Sequence, residues 1–226
     1  MRQKLTAEFV GSAFLALIVV GSGMAAQSLS PRQPGLELLV NAAATGAGLF
    51  VLISIFGPIS GAHFNPLVTI FQWIHRRIAS TQVAPYAVVQ TVGCVSGTLL
   101  ANVMFGHPAI EWSTHHRQSL GHAVSEVVAT AGLLVTIELL LRARSDARVP
   151  AAVGSYIASA YFFASSTSFA NPAITVGRMF TNSFAGISPS SAPAFVGSQI
   201  LGAAVALLLL RLLSFRASSE GVNVDA

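Results

Sequence analysis

This sequence has little charge: 9% of its 226 residues are charged, against 53% that are hydrophobic. Soluble domains carry about a quarter charged residues, so an ordinary water-soluble globule is excluded. Cysteine is almost missing too. The single Cys94 rules out an intrachain disulfide and any multi-cysteine metal site, and within its apolar run it reads as core packing. Acids are scarcer than bases, eight against twelve, which gives a net charge of +4 and a pI near 10.0. Those bases are few and flank apolar runs, so they suit membrane edges and argue against a nucleic-acid partner. The first apolar run has the basic flank of a signal peptide. Its extension to about Gln27, and Glu8 within it, fit a retained helix instead.

What the chain does have is long apolar runs. Six candidate spans stand at 5–27, 36–56, 82–105, 120–141, 149–163 (extended to about 166) and 193–213. At about 1.5 Å per residue, runs of this order cross roughly 30 Å of hydrocarbon. The fifth is the weakest, rich in Ala, Ser and aromatic residues. With the N-terminus inside, the inner segments hold Arg2, Lys4, Arg76, Arg77, Arg142, Arg144, Arg148, Arg211 and Arg216, and the outer ones Arg32, Arg117 and Arg178. That bias places both termini in the cytoplasm. The polar tail, 214–226, reads as disordered.

Two stretches break the pattern. Residues 57–70 read GPISGAHFNPLVTI, and 165–179 carry FANPAITVGRM. An Asn before a Pro is a helix start, because Asn caps free N–H groups and Pro lacks the one that needs no partner. Asn65-Pro66-Leu67 and Asn171-Pro172-Ala173 therefore each open a short helix, over 66–74 and then 172–180. The strand-like pieces before them, 58–64 and 166–170, leave backbone carbonyls that are tolerable at membrane depth only along a polar cavity. The first break follows span two on the inner side and the second follows span five on the outer side. That is an inverted repeat with a working site at its breaks. Glu8 answers Glu126 in this scheme, and Gln90–Gly93 answers Gln199–Gly202.

The expected fold class is thus an all-α membrane protein of six transmembrane helices and two reentrant half-helices. It forms one channel domain over 1–213, with halves of about 1–110 and 111–213. Glu8 and Glu126 are intramembrane acids, functional candidates by default. Their symmetric placement favours bracing the loops by accepting backbone N–H bonds, with proton-coupled transport the alternative. His63 reads as a further brace or an inner-vestibule donor. His107, His115, His116 and His122 are spaced too irregularly for a metal site, and no metal or other cofactor is expected.

The segments AEFVGSAFLALIVVGSG (7–23), SGAHFNPLVT (60–69), SEV (125–127), FANPAITVGR (169–178) and QILGAAVA (199–206) resemble the major intrinsic protein family, the aquaporins and aquaglyceroporins. The resemblance covers nearly the whole chain. It implies a right-handed bundle with one pore per subunit, a homotetramer, and Asn65 and Asn171 as the paired pore asparagines. Leu67 stands where the family usually has Ala, so it changes packing between the half-helices or narrows the route. Ile174 stands where the family carries a filter arginine, and Arg178, one turn later, is a possible outer-mouth residue. Carried over by spacing, the remaining filter positions are Thr45, Ser159 and Ser168. Thr, Ser, Ser and Ile imply a wide, weakly charged opening. It suits small neutral partners, namely water with glycerol or metalloid hydroxides such as arsenite, as in a bacterial branch that this sequence resembles. A strict water channel, a proton-coupled transporter and a scaffold with a vestigial pore are the competing readings. The expected setting is a bacterial inner (plasma) membrane bilayer.

Overall fold

The computed structural model describes residues 1–215, and the residues of the expected tail beyond Phe215 lie outside that range. Eight α-helices make up the described chain: α1 (Arg2–Leu29), α2 (Pro34–Ser60), α3 (Pro66–Ile74), α4 (Ser80–Met104), α5 (Leu120–Arg142), α6 (Val149–Phe163), α7 (Pro172–Gly177) and α8 (Ala192–Phe215). α1, α2, α4, α5 and α8 are long and apolar enough to cross a membrane. α6 is the fifth expected span and the short one, at 15 residues. The described chain is an all-helical bundle of an integral membrane protein.

Packing follows the two halves. α1 lies against α4 and α2, and α5 lies against α8 and α6 in the same relation; α2 and α6 join the halves. Small residues make these approaches possible. A Cβ at Gly93 would stand 2.5 Å from the Phe9 carbonyl oxygen on α1, and one at Gly202 would stand 2.6 Å from that of Val127 on α5. Helices packing in lipid gain from such backbone proximity because no water-driven force presses them together.

The helix bounds depart from the sequence reading in one instructive place. Residues 58–60 were expected to be extended, yet α2 runs through Pro58 to Ser60 and ends on Gly61 in the left-handed conformation, φ 92°. Pro58 cannot donate the bond to the Ser54 carbonyl that another residue there would make, so the end of α2 holds one backbone bond fewer. The non-helical piece is therefore shorter, covering 61–65. α7 likewise ends at Gly177 and tightens into a 3-10 turn over Arg178–Phe180.

Both loops before the half-helices hold non-glycine residues in left-handed backbone: Ala62 and Phe64 in the first, Thr167, Ser168 and Ala170 in the second. Such conformations persist only where surrounding contacts over-determine them. Outside the bundle, the segment between α4 and α5 is tied across the one between α7 and α8. Glu111 and Ser113 donate backbone N–H bonds to the carbonyls of Phe180 and Met179, and Ser188 donates one to that of His115.

Gly93→Ala and Gly202→Ala are each expected to cost about 1–3 kcal/mol through overpacking, whereas Gly35, with open space around it, tolerates Ala. Thermal unfolding in detergent measures this. Equal stability of all three variants would contradict the close helix approach.

Candidate functional site

The two Asn-Pro turns meet inside the bundle. Asn65 caps α3 with its Oδ1 accepting from Leu67 N at 2.9 Å, and Asn171 caps α7 with Oδ1 accepting from Ala173 N at 2.9 Å. Each proline occupies the first helical turn, where its missing N–H is not needed. The amide nitrogens then reach across. Asn65 Nδ2 donates to the carbonyl of Ala170, and Asn171 Nδ2 donates to the carbonyl of Phe64, both at 2.8 Å. Each asparagine thus holds the backbone immediately before the other one. The half-helices abut N-terminus to N-terminus through this exchange.

Two carboxylates hold the loops from behind. Glu8 accepts from Ser60 Oγ (2.6 Å), His63 N (3.0 Å), Phe64 N (2.8 Å) and Gln90 Nε2 (2.7 Å). Glu126 accepts from Ser166 Oγ (2.6 Å), Phe169 N (2.9 Å), Ala170 N (2.9 Å) and Gln199 Nε2 (2.6 Å). Both carboxylates are fully buried. Four donors each satisfy a charge that would otherwise be very costly at this depth. The glutamines continue the pattern, donating to Thr69 Oγ1 and Thr175 Oγ1 at 3.0 Å. Those threonines in turn bond back to the carbonyls of Asn65 and Asn171. Ser60, Ser166, Thr69 and Thr175 escaped the sequence reading. They stand at the same chain offset from one another as the two asparagines, which is the signal that could have found them.

A cavity of about 740 Å³ runs along this junction. Its lining includes Lys4, Arg77 and Asp146 in one part, then His63, Asn65 and Asn171, then Thr45, Tyr161, Ser168, Ile174 and Arg178. Glu8 and Glu126 are not on it. Neither are Leu67 and Ala173, which are buried; the larger Leu67 therefore acts on packing rather than on the route. His63 gives its backbone N–H to Glu8 and places Nδ1 3.1 Å from Thr69 Oγ1, with its ring 5.4 Å from that of Tyr86.

Ser159 is corrected by the structure. It is exposed, and its hydroxyl donates to the carbonyl of Tyr156 at 2.8 Å. Tyr161, two residues on, is buried and forms the α6 wall, its hydroxyl 3.1 Å from Thr45 Oγ1. Two residues along an α-helix turn the side chain by about 200°, onto the opposite face. The opening also carries a charge where little was expected, since Arg178 lines it. Arg178 is buried, its guanidinium carbon 3.5 Å from the Phe169 ring centroid and its Nε donating to the carbonyl of Ala185. Arg117, from the segment between α4 and α5, reaches the same ring at 5.4 Å. Burial pulls the Arg117 guanidinium below its ordinary range, with Glu126 opposing, though arginine stays charged at neutral pH.

At the α3 end, Glu138 on α5 is buried and collects three basic side chains. Arg77 Nη1 bonds it at 2.5 Å, Arg142 Nε at 2.7 Å, and His75 Nε2 lies at 3.5 Å. This cluster fastens the end of α3 to the bundle.

Glu8→Ala would strand Ser60 Oγ, Gln90 Nε2 and the backbone N–H groups of His63 and Phe64, at about 1–3 kcal/mol per buried donor. Glu126→Ala would do the same to the second loop. Both variants are expected to lose folded protein on size-exclusion chromatography. Normal yield and thermal stability in either would refute the bracing role.

The sequence profile of the major intrinsic protein family matches residues 1–169. An aquaglyceroporin, AqpS, of Rhizobium meliloti (strain 1021) is 43% identical over 213 residues, covering 94% of this chain and 91% of the relative. Nodulin-26 of Glycine max is 32% identical over 214 residues, covering 91% and 72%. In fold, the chain is similar to the X-ray structure of the aquaglyceroporin from Plasmodium falciparum, with a TM-score of 0.71 at 21% identity, covering 91% of this chain and 93% of that one. The chain belongs to the major intrinsic protein family, a family of membrane channels and not of enzymes.

Proposed function

We propose that this chain is a passive channel for small uncharged solutes, passing water together with glycerol and neutral metalloid hydroxides such as arsenous acid. The observation that carries this reading is the use made of the two asparagine amides. Each has two hydrogens, and one is spent on the opposite loop. The second has no protein acceptor among the described residues, and both side chains line the cavity. A solute oxygen passing the junction can accept from Asn65 and Asn171 in turn, so part of its lost hydration is replaced.

Charge is disfavoured at the same place. The half-helices present their N-termini, each a partial positive charge, to one region. Orienting dipoles of this kind turn away cations, hydronium included. Among the described residues no acid lines the cavity at the asparagines, and both intramembrane glutamates are consumed by loop bonds. A proton-coupled cycle would need one of them to titrate, which would release its loop. The glycerol assignment is supported by likeness to relatives named as aquaglyceroporins. It is supported as well by Ile174, a neutral side chain at the family's filter-arginine position. Arsenous acid is neutral and carries three hydroxyls, so it offers the same contacts as a small polyol. The arginine bias supports cytoplasmic termini, the setting in this reading is a bacterial plasma membrane, and membership of the family supports a homotetramer with one pore in each subunit.

Light scattering from proteoliposomes tests the reading under gradients of sucrose, glycerol and arsenous acid. Rapid flux of all three permeants (water, glycerol and arsenous acid), unchanged by a proton gradient, is the expected result. Passage of water alone, or flux that collapses with the proton gradient, would overturn it. Ile174→Arg is expected to slow glycerol about ten-fold, as for a misfit in a shaped site, and water much less. Equal losses would contradict a filter role for position 174.

A further inference from the structure

Among the described residues Arg178 is the one buried arginine on the cavity wall, and no acid there forms an ion pair with it. Its hydrogen bond goes through Nε to the Ala185 carbonyl, and the terminal nitrogens have no acceptor among the described residues. Arg117 is not ion-paired either. Its Nε and Nη2 donate to the carbonyls of Gly186 and Phe184, each at 3.0 Å. Three consecutive carbonyls, 184 to 186, are therefore shared between two arginines. Both guanidinium groups also lie over the Phe169 ring. Arg117 fixes the very segment, and contacts the very ring, that fix Arg178.

A second, independent observation concerns the residue before that ring. The Ser168 hydroxyl is buried, lines the same cavity and has no hydrogen-bond partner. Its backbone is held left-handed at φ 52°, while its N–H is taken by Ser166 Oγ. The neighbouring Thr167 hydroxyl also lacks a partner but is not on the lining, so Ser168 is the one of the two that offers an unsatisfied buried hydroxyl to a ligand oxygen in the cavity.

Resting on the channel reading above, we propose that Arg178, one turn beyond position 174 on the same cavity wall, is a further residue that sets solute admission in this protein. Its fixed guanidinium and the Ser168 hydroxyl bind the oxygens of a small neutral hydroxylated solute, and the unneutralised charge excludes cations. Arg117 is the positioning residue. A guanidinium suits this task because its donors are fixed in a plane and its charge does not titrate away. In a low-dielectric passage a single positive charge raises the barrier to a passing cation steeply.

The test measures glycerol flux by light scattering and proton leak by an entrapped pH dye, on the same vesicles. Arg178→Leu is expected to raise proton leak about ten-fold or more, while glycerol still passes. Arg178→Lys is expected to keep the vesicles tight to protons and to slow glycerol, because the charge stays and the planar donors go. Ser168→Ala should slow glycerol without any leak, and Arg117→Lys should raise leak part-way with Arg178 intact. The ratio of proton to glycerol permeability is the deciding quantity, because a merely structural arginine would lower both fluxes with protein yield. If Arg178→Leu does not fold, the Lys variant decides: leaky vesicles overturn the assignment, tight ones with slowed glycerol support it. A folded Leu variant that stays tight and carries glycerol normally also overturns it. Wild-type vesicles that pass no neutral solute would instead sink the channel reading itself.

Discussion

Everything in this protein depends on how broken backbone is satisfied at membrane depth. Two helices start in the middle of the bundle, and each is preceded by a loop whose amides and carbonyls have no helical partners. Lipid offers none. Glu8 and Glu126 take the loop N–H groups, and Asn171 and Asn65 take the carbonyls of Phe64 and Ala170. Neither loop is complete alone, since each carbonyl is held by the asparagine of the other half. The left-handed residues 62, 64, 167, 168 and 170 are the conformational cost of aiming these groups correctly.

That division of labour decides what the cavity can do. Acids that could relay protons are withdrawn from it, fully buried and saturated with donors. What remains on the wall at the junction is a pair of amides with donors to spare. The titratable side chains on the lining sit away from the asparagine pair in the chain: Lys4, Arg77 and Asp146 belong to the α3 end, Tyr161 to α6 and Arg178 to the turn after α7. His63 is the exception, and its ring is already engaged near Thr69 and Tyr86. Neutral, oxygen-bearing solutes match such a lining better than ions do.

Much of this architecture was legible because its chemistry is local. An Asn-Pro step announces a helix start wherever it falls, and an acid inside an apolar run demands donors, so Asn65, Asn171, Glu8 and Glu126 could be singled out unaided. The partners of those acids were half legible. Gln90 and Gln199 repeat at matched places, but Ser60, Thr69 and their counterparts look like ordinary small polar residues until the loops bring them in. Tyr161 was missed for a geometric reason: a filter position carried over by spacing is only as good as the count, and a two-residue error on a helix moves from the lumen to the outer face. Arg178 was legible as an oddity, one turn beyond its expected place. Its burial against Phe169, and its tie to Arg117 from a distant segment, are products of the fold.

The central claim is that the two asparagine turns act as one unit. A double-mutant cycle in vesicles tests it directly, comparing glycerol permeability for Asn65→Ala, Asn171→Ala and the pair. Contacting groups couple by about 0.5–3 kcal/mol, whereas independent sites add. The account predicts that the double variant is no slower than the worse single variant, because either change already opens the shared junction. Losses that multiply, with both single variants correctly folded, would contradict it.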